Sequence, residues 1–383
     1  MQVLLVVEPG IDGVFRHVEG LVRYLMRQPD VRVHLAYSDC RGSAGLKKLV
    51  QTVADAGGET LNLRVNNGPA PADAPAFFKL ASMARRVRPD IIHGHSSKAG
   101  VLVRALRFIG WQGPLFYTPH AYYGLAPRPS RVATALFNGI EQAFGKIGTT
   151  INISPDEATF ARESLGVPAS RIRTIHNPVD TEIFQPPTPE QRQRARQQLG
   201  LPEDAIILGA IGRLSFQKDP QMLYRAFAAV VEREPRLRLF HVGQGELADE
   251  LATLAAELNL GDRLIRKSYL DNPACFYEAI DALAVTSRYE AGWPIVTLEA
   301  LACNLPLVAV LAPGTTDLAA SGLSHCWTSP VEAPTAFSQS IAAWLADRDL
   351  ARPCNHRERA IERFSVERCF GGVLAEYRSA QKV

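Results

Sequence analysis

Strand-length apolar runs alternate with helical patterns along the whole chain, and this alternation restricts the fold more than any other feature. Val3-Leu-Leu-Val-Val7 leads into a loop, Gly10-Ile-Asp-Gly13, and then a helical stretch over about residues 15–27. Val31-Arg-Val-His-Leu-Ala36, Ile91-Ile92-His93 and Leu115-Phe-Tyr-Thr118 follow, with helices between them. Short strands joined through helices pair in parallel, because each crossover carries the chain back to the same edge, and the sheet is then wound on both faces. The pattern restarts after Pro186-Pro-Thr-Pro189, with strands at 205–211, 237–242, 282–286 and 306–310. The class is α/β. A length of 383 residues is long for one core and natural for two such domains.

Composition narrows the setting. A hydrophobic content of 46% and a charged content of 21% are ordinary for a soluble globular chain. The longest apolar runs are of strand length, far short of a membrane span. The first residues read as a strand and not as a charged segment, apolar core and cleavage site, so no secretion signal is expected. The cysteines Cys40, Cys275, Cys303, Cys326, Cys354 and Cys369 are scattered without a Cys-x-x-Cys pair, which fits reduced thiols in a cytoplasmic protein.

Two stretches carry chemistry. The first is the strand Ala205-Ile-Ile-Leu-Gly-Ala-Ile211 followed directly by Gly212-Arg-Leu-Ser-Phe-Gln-Lys218-Asp-Pro. Arg213 and Lys218 place a guanidinium fork and a point charge on the loop beyond a strand's carboxyl end, where ligands of open α/β sheets bind. Either cation alone reads as a solvated loop residue, and together they read as a phosphate cradle. The second is Ser287-Arg-Tyr-Glu-Ala-Gly-Trp-Pro-Ile-Val-Thr-Leu-Glu-Ala-Leu-Ala302, which follows the apolar run Ala282-Leu-Ala-Val-Thr286. Pro294 suits a first helical position, so the turn around Gly292, Trp293, Pro294 and Ile295 aims backbone N–H groups and a helix dipole at one place. Two acids beside an anion site, Glu290 and Glu299, would repel the anion unless they accept hydrogen bonds from neutral sugar hydroxyls. Phosphates at a helix end and hydroxyls on acids describe a sugar nucleotide.

Taken together, Gly212-Arg-Leu-x-x-Gln-Lys218 and Glu290…Pro294-x-Val-x-Leu-Glu-Ala300 resemble the retaining GT-B glycosyltransferases, specifically glycosyltransferase family 4. His93-x-His95-Ser-Ser-Lys-Ala-Gly100, Tyr117-Thr-Pro-His120, Ser154, Asn177-Pro-Val-Asp180 and Gly243-x-Gly245 fall in the family's order, so the resemblance covers almost the whole chain. Two departures stand out. Glu290 and Glu299 are separated by eight residues where the family usually has seven, with Ala291-Gly-Trp293 one residue longer. Asn304 stands where Gly is common.

The resemblance implies two doubly wound Rossmann-like domains facing a cleft. An acceptor domain would cover residues 1–182, a nucleotide-sugar domain 183–365, and a helix over 366–383 would return to the first domain. It implies that His120 contacts the donor sugar near the reacting carbon, that Gly13 belongs to a Gly-rich turn of close backbone approach, and that Gly212, Arg213, Lys218, Gly292, Trp293, Pro294, Ile295 and Glu299 bind the donor. Glu290 joins His120, Arg213 and Lys218 as a candidate for catalysis. The activity implied is transfer of a hexose-type sugar from a UDP-, GDP- or ADP-sugar, with retention, to a glycan or lipid-linked acceptor in bacterial surface polysaccharide synthesis.

No metal or cofactor is expected. Breaking a bond between an anomeric carbon and a diphosphate leaves negative charge on the phosphates, and Arg213, Lys218 and a helix N-terminus already answer it. His93 and His95 lack a third ligand at sensible spacing, and Asp347-Arg-Asp349 reads as helix capping. A dehydrogenase is disfavoured because Glu8-Pro-Gly10-Ile-Asp-Gly13 lacks the dinucleotide turn. A sugar-nucleotide epimerase and an inactive sugar-nucleotide-binding protein remain as alternatives.

Charge is uneven: residues 1–180 carry a balance of +7 and the remainder −4. Arg85, Arg86, Arg88, Lys98, Arg104 and Arg107, with Phe108 and Trp111, admit two readings, a face that docks peripherally on anionic membrane or an ordinary solvated helix face. No nucleic-acid motif accompanies the charge.

Overall fold

A computed structural model describes residues 1–126, 130–348 and 354–381. The chain divides into two compact units, residues 1–177 with 366–383, and residues 178–365. The first boundary lies five residues before the one read from the sequence. Its cause is local: Val179 N–H donates to the Phe364 carbonyl at 2.7 Å and Val179 bridges Ser365, which anchors the entry of the second unit to its exit. The proline-rich Pro186-Pro-Thr-Pro189 is no linker. It opens helix Pro189–Leu199, with Thr188 and Gln191 forming a reciprocal capping box.

The first unit holds β1 (Gln2–Val7), β2 (Arg32–Tyr37), β3 (Thr60–Asn62), β4 (Ile91–His95), β5 (Leu115–Thr118), β6 (Thr149–Asn152) and β7 (Ile172–Thr174). They form one parallel sheet in the order β3-β2-β1-β4-β5-β6-β7. β1 shows why it lies at the centre. Val3, Leu5 and Val7 enter one core cluster while Leu4 and Val6 enter another, so both faces are buried. Each such side chain contributes roughly 1.5–3 kcal/mol on full burial. The last helix, Val366–Ala380, presents Phe370, Val373, Leu374 and Tyr377 at helical spacing to the core containing Val18 and Leu21, and so belongs to this unit.

The second unit repeats the architecture with β8 (Ile206–Ile211), β9 (Leu237–Val242), β10 (Leu264–Lys267), β11 (Ala282–Val285), β12 (Leu307–Leu311) and β13 (Cys326–Pro330), in the order β10-β9-β8-β11-β12-β13. Ile207 faces one core cluster, and Ile206, Leu208 and Ala210 the other. In both units the first strand has the second on one side and the fourth on the other. The strand order therefore reverses between β1 and β4, and again between β8 and β11. Loops leaving the two strands diverge at such a point and leave a crevice at their carboxyl ends.

Candidate functional site

In the second unit that crevice is a small pocket of about 30 Å³, lined by Gly212, Arg213, Lys218, Thr286, Ser287 and Pro294, among others. Its floor is held by backbone. Leu214 N–H donates to the Gln244 carbonyl at 3.0 Å, Gly212 N–H to Val242 at 3.0 Å, and Thr286 Oγ1 to the Lys218 carbonyl at 2.9 Å. Gly243 is obligatory here, since a Cβ on it would overlap the Gly212 carbonyl. Pro294 occupies the N-cap and not the first helical turn. Helix Ile295–Ala302 follows, and the Pro294 carbonyl takes Thr297 N–H at 2.9 Å. The preceding helical N–H groups, on Ile295 and Val296, have no acceptor within the helix.

The two acids stand differently. Glu290 N–H is tied to the Pro313 carbonyl at 2.8 Å, its Oε1 pairs with Lys218 Nζ, and Gln217 Nε2 donates to Oε2 at 3.4 Å. Gly314, at φ 91°, lets the chain pass under the Glu290 carbonyl, where any Cβ would collide. Lys218 therefore finds its acid across the crevice, not beside it in sequence. Asp219 caps helix Pro220–Val231 by accepting Met222 N–H at 3.3 Å and pairs with Arg288 at 3.0 Å. Glu299 lies inside its helix at 1% exposure, and its Oε2 accepts the Tyr277 hydroxyl at 2.5 Å. Between the acids, Trp293 is buried. Its indole N–H donates to Asp317 Oδ1 at 2.6 Å and its ring packs on Phe364. Gly292 is buried beside it.

The first unit collects histidines at its own reversal point. His93 and His95 come from β4, His120 from the turn after β5, and His17 from helix Asp12–Met26. His93 Nδ1 meets the Tyr377 hydroxyl at 2.5 Å and its Nε2 meets Thr118 Oγ1 at 2.9 Å, which fastens the last helix to the sheet. His95 Nδ1 lies 3.1 Å from His120 Nε2, and His17 Nδ1 lies 3.0 Å from Asn177 Oδ1. Burial removes the water that would solvate a cation, so it pushes His17 down to about 4 and His93, His95 and His120 well below the usual imidazole range. Ligand nitrogens of His17, His95 and His120 lie within 4.8 Å of one another. The sequence shows only the pair His93 and His95. The fold brings two further imidazoles to His95, and this trio is where the described residues could hold a cation. Two of its nitrogens already face each other.

Other expectations are corrected. Gly13 lies not in a loop but in the exposed first turn of helix Asp12–Met26. The basic face is thinner than its sequence. Lys98 is 7% exposed and paired with Asp73; Arg104 is 1% exposed, bonded to Glu141 at 2.9 Å and laid over the Tyr117 ring. Arg107 turns to the carbonyls of Trp111 and Gly113. Arg85, Arg86 and Arg88 remain exposed, Arg86 against Glu59. Asp347 ends helix Pro334–Asp347, and Asp349 lies outside the described residues. His17, which follows Gly13 and Arg16 in sequence, could not be linked to His95 and His120, because a helix-interior imidazole far from β4 in sequence gives no local signal of that contact. Glu157 escaped notice, although Ser154-x-x-Glu157 is a legible capping pattern.

Two parallel α/β units, each with its strand order reversing beside the first strand, are the architecture of the GT-B fold. Solved structures agree in fold: Anabaena HepE, determined with UDP-glucose, superimposes with a TM-score of 0.80 at 21% identity over 99% of this chain and all of that one. Sucrose-phosphate synthase from Thermosynechococcus elongatus gives 0.79 at 21% over 99% and 98%. The model of Glycosyltransferase Family 4 matches residues 11–183 and that of Glycosyl transferases group 1 matches residues 191–363. The chain belongs to glycosyltransferase family 4. A D-inositol 3-phosphate glycosyltransferase of Saccharomonospora viridis is 31% identical over 324 residues, 76% of this chain and 70% of that protein. That of Geodermatophilus obscurus is 30% identical over 312 residues, 76% of this chain and 66% of that protein's length. Among the described residues no helix is long and apolar enough to cross a membrane.

Proposed function

We propose that this glycosyltransferase moves a hexose-type sugar from a nucleoside diphosphate sugar to a glycan or lipid-linked acceptor, with retention and without a metal. The observation that carries the reading is the convergence of Arg213, Lys218, Ser287 and the N-cap of helix Ile295–Ala302 on one pocket at the β8/β11 reversal. Cations and N–H donors there would meet charge that develops on a leaving diphosphate, and so favour the transition state over the ground state. Lys218, now on Glu290, would pair with the diphosphate when the donor binds. Glu290 would then be left to accept hydrogen bonds from sugar hydroxyls. His120, in the first unit, would contact the donor sugar.

Thermal shift against UDP-, GDP- and ADP-sugars identifies the donor, because selective binding raises Tm by mass action. Incubation of that donor with candidate acceptors, read by NMR of the anomeric proton, tests transfer and retention together. Inverted product overturns retention; isomerised donor without transfer makes the protein an epimerase; binding without turnover makes it a binding protein. A second acceptor class, a phosphorylated polyol, is favoured by relatives named D-inositol 3-phosphate glycosyltransferase, and inositol phosphate belongs in the same panel.

A further inference from the structure

His120 is held more tightly than a turn residue needs to be. Its φ is 58° and that of Ala121 is 127°, two successive non-glycine residues in left-handed territory. Such a pair persists only where the surroundings over-determine it. One restraint is Glu157, fully buried, whose Oε1 accepts Ala121 N–H at 3.0 Å and whose Oε2 accepts Ile153 N–H at 2.8 Å. Glu157 is itself fixed by Ser154, whose Oγ accepts Glu157 N–H at 3.0 Å. The other restraint is His95, and it acts on the ring.

One proton lies between His95 Nδ1 and His120 Nε2, 3.1 Å apart, and the surroundings of His95 argue for its owner. A neutral imidazole carries a single N–H. If His120 donated, His95 would hold its own proton on Nε2, a nitrogen that is buried and has no hydrogen-bond partner among the described residues. Orphaned buried N–H groups are rarer than orphaned lone pairs. His95 therefore donates from Nδ1, and the atom left without a partner is a bare lone pair. His120 accepts on Nε2 and, being neutral, carries its proton on Nδ1. The Nδ1 side of the ring is the one not spent on His95, and the residue keeps partial exposure.

We propose that His95 is a positioning residue that locks His120 as the Nδ1–H tautomer, so that His120 meets its ligand as a neutral hydrogen-bond donor, with Glu157 aiming the backbone. The class of partner follows: a sugar hydroxyl or other neutral oxygen acceptor. The inference rests on the reading above that His120 handles the donor sugar.

Two measurements on the full chain separate the proposal from that reading. Long-range ¹H–¹⁵N correlation on histidine-labelled protein reads the tautomer directly. A neutral His120 protonated on Nδ1 is expected in the wild type and is lost in His95→Leu; Nε2 protonation in the wild type overturns the proposal. Turnover of the donor is then compared among variants of unchanged Tm. His95→Leu is expected to lower kcat by about 10² with little change in KM, the scale of a misplaced reacting group. His95→Asn, whose amide nitrogen sits near the position of the lost Nδ1, is expected to recover most of it. Glu157→Gln, which keeps one acceptor of two, is expected to fall between. If His120→Ala is impaired and His95→Leu is not, the positioning role is wrong. If His120→Ala is itself unimpaired, the assigned role of His120 is wrong, whatever the tautomer.

Discussion

At the scale of the residue, Lys218 shows what spacing can and cannot reveal. Its place on a strand-edge loop was legible, and its partner was not, because Glu290 reaches it across the sheet and no sequence pattern links positions 72 apart. The same limit hid the contact of His17 with His95 and His120, and Glu157 went unread although Ser154-x-x-Glu157 has a capping pattern; its second task, holding Ala121, has no local signal at all. Arg213→Ala and Lys218→Ala are each expected to lower kcat by ~10²–10³ with Tm preserved, the usual cost of removing one preorganised donor. Near-wild-type turnover in both would remove the phosphate assignment. Glu299 offers a sharper choice. If it serves ribose hydroxyls, Glu299→Ala weakens donor affinity by ~1.5–3 kcal/mol while Tyr277→Phe leaves it unchanged. If its work is the Tyr277 hydrogen bond inside the core, both variants lower Tm and neither moves affinity. Calorimetric titration with the donor, beside a melt, decides. Because Arg213, Lys218 and helix N–H groups supply the positive potential, transfer is expected to persist in excess EDTA; loss in chelator restored by Mg²⁺ or Mn²⁺ would overturn metal independence.

At the scale of the element, the fold was largely legible because buried parallel strands write themselves as apolar runs. β1, β8 and β11 were all read from such runs, and the positions that alternate between two core clusters confirm why. Ends were harder. Helix Asp12–Met26 begins three residues before the expected start, since Asp12 and Gly13 carry no helical signature, and Pro294 caps its helix where a first-turn place was expected. Close approach of backbones was invisible altogether. Nothing in the sequence says that Gly314 runs beneath the Glu290 carbonyl, yet a methyl there has no room and φ is positive. Gly314→Ala is expected to displace the Glu290 loop, lowering donor affinity at least about tenfold with a Tm drop, as strain at a special φ commonly costs 1–3 kcal/mol. Unchanged affinity and Tm would show that the loop yields without consequence.

At the scale of the whole molecule, buried imidazoles govern the response to acid. His17, His241 and His356 are pushed down to about 4 by burial, and His93, His95 and His120 fall well below their ordinary value of 6.5. Between about 4 and 6.5 the unfolded chain binds protons on these rings that the folded chain refuses, so stability rises with pH across that window. Glu157 opposes them. Burial lifts its carboxyl to about 8 against an ordinary 4.5, so the folded chain keeps a proton the unfolded chain releases, and stability falls with pH in that range. Six rings outweigh one acid up to about pH 7, because half of the unfolded imidazoles still hold a proton at 6.5; above that the acid prevails. Tm is expected to climb from pH 4.5, peak at about pH 7 and decline gently to 8, and Glu157→Gln should flatten the decline. A Tm that falls between pH 4.5 and 6.5 would overturn this account.

The bridge from Val179 to Ser365 has a consequence for engineering and descent. The second unit begins and ends at the same spot, so in chain order it is a cassette set within the first. Residues 178–365 have their own core and their own closed hydrogen-bonded ends, which are the conditions under which a segment can be excised, permuted or exchanged. Expressed alone, the cassette is expected to melt cooperatively and to gain Tm with the donor's nucleoside diphosphate. Where the donor pocket is the one proposed above, trading the cassette for the equivalent span of another family member is expected to change which nucleotide the protein accepts, read by thermal shift against the same nucleotide panel.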